Sequence, residues 1–111
     1  MSFEQITIAG NIGSAEIFTS KSQNRYLKMS VAVNKGTGEK RKTTWYSVFL
    51  FGPMVANIDA LLAIFKPGRL VAVSGRPEVA AYLKKDGAAG LDNTIIAHSL
   101  PQLLDHVKHD S

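Results

Sequence analysis

Thr44-Trp45-Tyr46-Ser47-Val48-Phe49-Leu50-Phe51-Gly52 is the stretch on which the fold turns. Successive side chains of a β-strand point to opposite faces, so a half-buried strand alternates apolar with polar residues. Here Val48 and Leu50 fall on one face, while Trp45, Phe49 and Phe51 occupy the other with only Ser47 to interrupt them. One face fills a core. The other must meet a second sheet, another subunit or the flat rings of a ligand. Lys35, Lys40, Arg41 and Lys42 lie just before this strand. Rings beside cations suit a polyanion that carries bases, as a single strand of nucleic acid does.

Around this strand the pattern is of short strands with one helix inserted. Phe3 to Asn11 carries Ile6 and Ile8 in alternation, and Gly10, Gly13 and Ser14 punctuate it as a turn or bulge, where the first strand is expected to end. Tyr26 to Asn34 holds Leu27, Met29, Val31 and Val33 in strict period two, the clearest strand of the chain. The glycine-containing, charged run from Lys35 to Lys42 then reads as the loop of a long hairpin. After Gly52 the period changes. Val55, Ile58, Leu61, Leu62 and Phe65 fall at the spacing of an amphipathic helix that starts at Pro53 and is stopped by Pro67-Gly68. Leu70 to about Tyr82 forms a fourth strand and Asn93 to Leu100 a fifth, with a loop between them that includes Lys84 and Lys85. The organisation expected is one domain over residues 1–104 and a short polar tail over residues 105–111.

Composition excludes several classes. With 111 residues the chain is long enough for one ordinary hydrophobic core. The absence of cysteine removes disulfides, thiolate metal sites and cysteine nucleophiles. No stretch approaches the roughly 20 apolar residues of a membrane span, and the N-terminus lacks a signal-peptide pattern, so a soluble intracellular protein is expected. Thirteen Lys and Arg against nine Asp and Glu give a net charge of +4, which favours acidic partners. The run from Gly36 to Thr43 is no phosphate-binding loop, because Arg41 stands where that motif needs glycine before Lys42-Thr43. Asp105, His106, His109 and Asp110 approach a metal cluster in spacing, but a solvated terminus is the plainer reading and His98 is isolated. No catalytic residues, metal, cofactor or small-molecule substrate are expected.

Five strands with a helix between the third and fourth is the order of the OB-fold, a small all-β Greek-key barrel whose second and third strands commonly bind oligonucleotides. Gly10-Asn11-Ile12-Gly13, Ser30-Val31-Ala32-Val33-Asn34, Thr44-Trp45 with Val48-Phe49-Leu50-Phe51-Gly52, and Pro67-Gly68 with Val73-Ser74-Gly75 resemble, in order and in register, the bacterial and mitochondrial single-stranded DNA-binding proteins. The likeness runs from about residue 5 to about residue 104. It implies that Trp45, Phe51 and Tyr82 stack on bases, and that cations of the loop between strands two and three, here Lys35, Lys40, Arg41 and Lys42, hold the backbone. The period-two count agrees independently, since Trp45 and Phe51 face the same way. Phe49 shares their face, as contact or as platform. Arg25 and Lys28 are secondary candidates for the same backbone.

The chain also departs from that family. Its charged loop is shortened and lacks a further stacking aromatic, and the helical region is slightly longer. Glu78, Ala80 and Ala81 stand where relatives are often basic, leaving Arg76, Lys84 and Lys85 to supply positive charge near Tyr82. It resembles a short form without the acidic, aromatic-ended C-terminal tail. The function implied is sequence-independent coating and protection of single-stranded DNA in replication, recombination or repair, in the bacterial cytoplasm (bacterial, plasmid or phage-encoded) or in the mitochondrial matrix. Family members assemble as homotetramers, so a tetramer is expected, with a dimer as the alternative and Tyr46 at a subunit contact. The alternative function is an OB-fold adaptor of the primosome or recombination machinery that works mainly through protein contacts. A plainer one makes the aromatic strand an oligomer interface.

Overall fold

Fourteen residues, Ile6–Thr19, form β1, a strand long enough to pair with two different partners. Its first half lies antiparallel to β4 (Leu70–Leu83), from Ile6 opposite Gly75 to Asn11 opposite Leu70. Its second half lies antiparallel to β2 (Arg25–Lys35), from Asn11 opposite Ala32 to Thr19 opposite Arg25. β2 continues into β3 (Lys42–Leu50), β3 pairs in parallel with β5 (Ala89–Ala97), and β5 returns antiparallel to β4. The ring β1-β2-β3-β5-β4 therefore closes on β1. Closure removes the free edges of an open sheet, and the inward alternation of every strand supplies one core. A short β6 (Gln102–Leu103) pairs with Ala72 and Val71 of β4. The computed structural model describes residues 4–36, 38–83 and 89–105.

The core is the inner face read off the alternation. Leu27, Met29 and Val31 of β2, Val48 and Leu50 of β3, and Val71 and Val73 of β4 are fully covered, with Ile95 of β5. Each such side chain contributes about 1.5–3 kcal/mol by leaving water. Among the described residues no polar or charged side chain is buried with them.

Two expectations need correction. β1 does not end at the glycines. Its pairing with β2 shifts register between Ile12 and Ser14, so Gly13 is an extra residue in a β-bulge and the strand runs on to Thr19. Before the bulge Ile8 and Ile12 point inward; after it Ala15 and Ile17 pack against the core. The second correction is the helix. A 3-10 turn (Gly52–Val55) with Pro53 in its first positions is followed by a separate helix α1, Ile58–Ile64, only seven residues long. Asn57, with φ −110° and ψ 59°, leaves helical geometry and divides the two. Val55, Ile58, Leu61 and Phe65 still form one buried stripe, because turn and helix pack on the same core. Gly68, at φ +93°, reverses the chain after α1. The turn is tied to β1, since the Gly68 N–H donates to the Ile12 carbonyl at 2.7 Å and the Ile12 N–H to the Arg69 carbonyl at 2.9 Å.

Past β6 the chain is held by charge. Arg69 donates through Nε and a terminal nitrogen to the two carboxylate oxygens of Asp105, at 2.7 and 2.9 Å. The Leu70 N–H donates to the same carboxylate at 3.3 Å. The hydrogen bonds from Arg69 hold the Asp105 carboxyl below its ordinary range, and the same bond raises Arg69. Asp105 is thereby paired with a cation; His106, His109 and Asp110 lie outside the described residues.

Candidate nucleic-acid interface

Side chains that alternate out of β1, β2 and β3 line up in rows, because the registers of the two pairings match. Asn11, Ala32 and Trp45 form one row; Ser14, Ser30 and Ser47 form the next, which Thr94 of β5 extends. Glu16, Lys28 and Phe49 form a third, with Phe18 opposite Tyr26 beyond it. A line of small hydroxyl residues thus separates a lone indole from a cluster of four rings. The hydroxyls of Ser14 and Ser30 are hydrogen-bonded at 2.8 Å.

Trp45 reaches across the sheet. It belongs to β3, yet its six-membered ring lies so close to Gly13 of β1 that a Cβ there would stand 2.5 Å from Cζ3 and 2.8 Å from Cη2. The indole spans β2 above the short side chains of Ala32 and Ser30 and rests on a glycine that has no side chain to lift it. More than half of it, 55%, remains exposed. Phe51, 43% exposed, ends the same stripe. In the protomer neither ring belongs to the core.

Phe49 is half-buried and lies 6.0 Å from Phe51 with the ring planes within 7° of each other. Tyr26 joins them, its ring centroid 5.0 Å from Phe51 and 6.0 Å from Phe49. Phe18 of β1 stacks on Tyr26 at 5.8 Å. The Lys28 ammonium stands between Phe18 and Phe49, 6.0 and 5.9 Å from their centroids, at cation–π range. Tyr26 and Phe18 were not singled out as site residues by the sequence. The alternation that turns Leu27 and Met29 inward also turns Tyr26 outward beside Lys28, so one of the two rings was within its reach.

The expected cations are placed as follows. Lys35 and Lys42 face each other at the base of the β2–β3 hairpin, and Lys40 and Arg41 are exposed beside a 3-10 turn (Gly38–Lys40). Like charges directly opposite each other repel. Among the described residues none of these four enters an ion pair. Arg76 is exposed in β4 and bonded to Glu78 at 2.9 Å, which offsets part of its charge. The backbone of Tyr82 lies in β4 opposite Gly90, and its side chain is outside the description. Lys84 and Lys85 lie outside the described residues. Tyr46 shares the inner parity of Val48 and Leu50 and packs half-buried against the core. Among the described residues no three His, Cys, Asp or Glu gather as a metal would require, and no helix is long and apolar enough to cross a membrane.

The family model described as "Single-strand binding protein family" matches residues 3–103. The fold is similar to a mitochondrial single-stranded DNA-binding protein of S. cerevisiae, at 30% identity and a TM-score of 0.65, over 95% of this chain and 98% of that one. It is also similar to a Plasmodium falciparum SSB in complex with ssDNA, at 19% identity and a TM-score of 0.68, over 95% and 97% of the two chains. A small single-stranded DNA-binding protein from Streptomyces coelicolor matches at 18% identity and a TM-score of 0.69, over 89% and 93%. These last two likenesses concern the fold alone. Comparison with curated proteins gave no match.

Proposed function

Because the chain belongs to the single-strand binding protein family, we propose that it binds single-stranded DNA without regard to sequence, coating and shielding exposed strands in replication, recombination or repair. The observation that carries this is the pair of rings Trp45 and Phe51, left 55% and 43% exposed on the outside of a closed barrel with an apolar interior. Every base has a π-face, so stacking of this kind contributes about 1–3 kcal/mol per base and is tolerant of sequence. Phe49 supports Phe51 as a platform, and Tyr82 adds a further ring from β4. Lys35, Lys40, Arg41 and Lys42 take phosphates at the hairpin, and Arg76, Lys84 and Lys85 take others. The hairpin lysines that repel each other in the free protein are relieved by a polyanion.

The role is one of binding, with no catalytic step. A single barrel offers one groove, and useful affinity comes from linking several, since a tethered second site acts at high effective concentration. The working form is a homo-oligomer, a tetramer, in which the exposed part of Tyr46 meets a neighbouring subunit. Its compartment holds DNA: the bacterial cytoplasm or, following the S. cerevisiae likeness, the mitochondrion.

The test uses the single tryptophan. Titration with poly-dT quenches Trp45 emission, and Trp45→Ala weakens poly-dT binding by about 1–3 kcal/mol while leaving the assembled mass unchanged. Emission that does not respond to poly-dT would refute the assignment. Dissociation of Trp45→Ala into monomers would make the aromatic face a subunit interface instead.

A further inference from the structure

Resting on that function, we propose a second stacking subsite on the same sheet, where Phe18, Tyr26 and Phe51 hold a nucleotide of the bound DNA and Lys28 and Arg25 hold its phosphates. The strand then crosses β3, β2 and β1 towards the β1–β2 turn rather than following β3 alone.

Three observations meet here. The first is an unbroken sequence of rings from Phe51 through Tyr26 to Phe18, with centroids 5.0 and 5.8 Å apart. Phe18 gains nothing for the core, since 37% of it is exposed. Aromatic surface left continuous over three strands marks a contact face. The second is charge. Lys28 has Glu16 as its cross-strand neighbour on β1, yet among the described residues no ion pair joins them, and the ammonium stands between Phe18 and Phe49. A cation held between two rings is set to receive a phosphate when a base lies on either one.

The third is shape. An open pocket of about 600 Å³ adjoins the rings, and its lining includes Tyr26 and Phe51, the polar Ser20, Ser22, Asn24 and Arg25, and the apolar Val55 and Ile58. Rings and hydroxyl, amide and guanidinium groups around one pocket are what a nucleotide needs: a flat surface for the base and donors for its edge and phosphate. Arg25 is half-exposed and, among the described residues, pairs with Asp59 alone, at 3.6 Å, which leaves guanidinium donors to turn towards DNA. The occupant is therefore single-stranded DNA already seated on Trp45 and Phe51, continuing over the turn.

The experiment pairs Phe18→Leu and Tyr26→Leu, which keep apolar bulk and remove the flat ring, with photocrosslinking of the unsubstituted protein to oligo-dT carrying 5-iodouracil. Each variant is expected to bind a long dT oligonucleotide about 5-fold more weakly or worse. Its thermal midpoint, its mass and the quench of Trp45 at saturation stay as in the parent protein. Crosslinks are expected at Tyr26 or Phe18 as well as at Trp45. Affinities within about twofold of the parent, or crosslinks confined to Trp45 and the β2–β3 hairpin, would overturn the subsite while leaving the stacking on Trp45 intact. Loss of assembly in either variant would overturn it too, by showing that these rings cover a subunit contact. Failure of the wider function reads differently, as absence of any quench in the parent.

Discussion

Gly13→Ala is the sharpest perturbation of the proposed interface, because it touches Trp45 without altering it. The added Cβ would stand 2.5 Å from Cζ3 of the indole, so the ring must retreat by about 0.9 Å to reach ordinary contact. Gly13 is not among the glycines with positive φ, and alanine therefore fits its backbone. Replacing glycine where the backbone allows it stabilises a fold by about 0.4–1 kcal/mol through the unfolded chain. Against this stands a weaker hold of the indole on the sheet. A buried tryptophan covers 150–250 Å², and a little under half of Trp45 is covered; at about 25 cal/mol per Å² even complete detachment costs only about 2–3 kcal/mol. The fold should change by about 1 kcal/mol or less, since the two effects oppose each other. Binding should change more. An indole tilted off its seat no longer presents its face to a base, and DNA affinity should fall by about 1 kcal/mol or more, roughly 5-fold. The assay is thermal unfolding and poly-dT titration on the same sample, with the emission of the single tryptophan as a third readout, expected to shift to longer wavelength in the free variant. An unchanged spectrum with unchanged affinity would refute the seat. A fold weakened by more than about 3 kcal/mol with normal binding by the folded fraction would show that the glycine serves the barrel instead.

The remaining predictions concern charge. Replacing Lys35, Lys40, Arg41 and Lys42 by glutamine together should flatten the dependence of log affinity on log salt by about 0.7 for each phosphate no longer neutralised, measured by titration at several salt concentrations. A parallel shift of the line with the same slope would mean that these cations do not meet phosphates. For Asp105 the sign follows from its partner. The folded chain keeps this carboxyl ionised to lower pH than the unfolded chain does, because Arg69 bonds its charged form. Its stabilising effect is therefore complete above the unfolded value of about 3.9 and disappears as the pH drops through the lower folded value. Asp105→Asn should lower the urea midpoint at pH 7 and converge with the parent once the pH has fallen below the lowered folded value of that carboxyl. A difference that persists there would trace to packing rather than to charge.

What the sequence made legible follows from which signals are periodic. The strand at residues 44–52 and the alternation of Leu27, Met29 and Val31 gave two adjacent strands and their facing, and with them the exposure of Trp45 and Phe51. β1 was cut short because its bulge breaks the period: the inward positions pass from even to odd numbers, so Ala15 and Ile17 look unrelated to Ile8 and Ile12. The same slip hid Phe18, whose outward face is fixed only once the bulge is known. The helix began too early because a 3-10 turn and a seven-residue helix share one apolar stripe, and the break at Asn57 is a matter of dihedral angles rather than of residue type. The seat of Trp45 on Gly13 joins residues on strands that are not neighbours, and nothing local in either stretch announces it. The Arg69–Asp105 fork spans 36 positions and was equally out of reach.

The extra residue at Gly13 acts on β1 as a frameshift acts on a message: everything downstream swaps inside for outside. Were Gly13 kept but paired in register, with no bulge, strict alternation would carry Ser14, Glu16 and Phe18 into the barrel while expelling Ala15 and Ile17. A glutamate would then be buried. A single unpaired position thus decides whether the far half of the strand presents a ring to solvent or forces a charge into the interior.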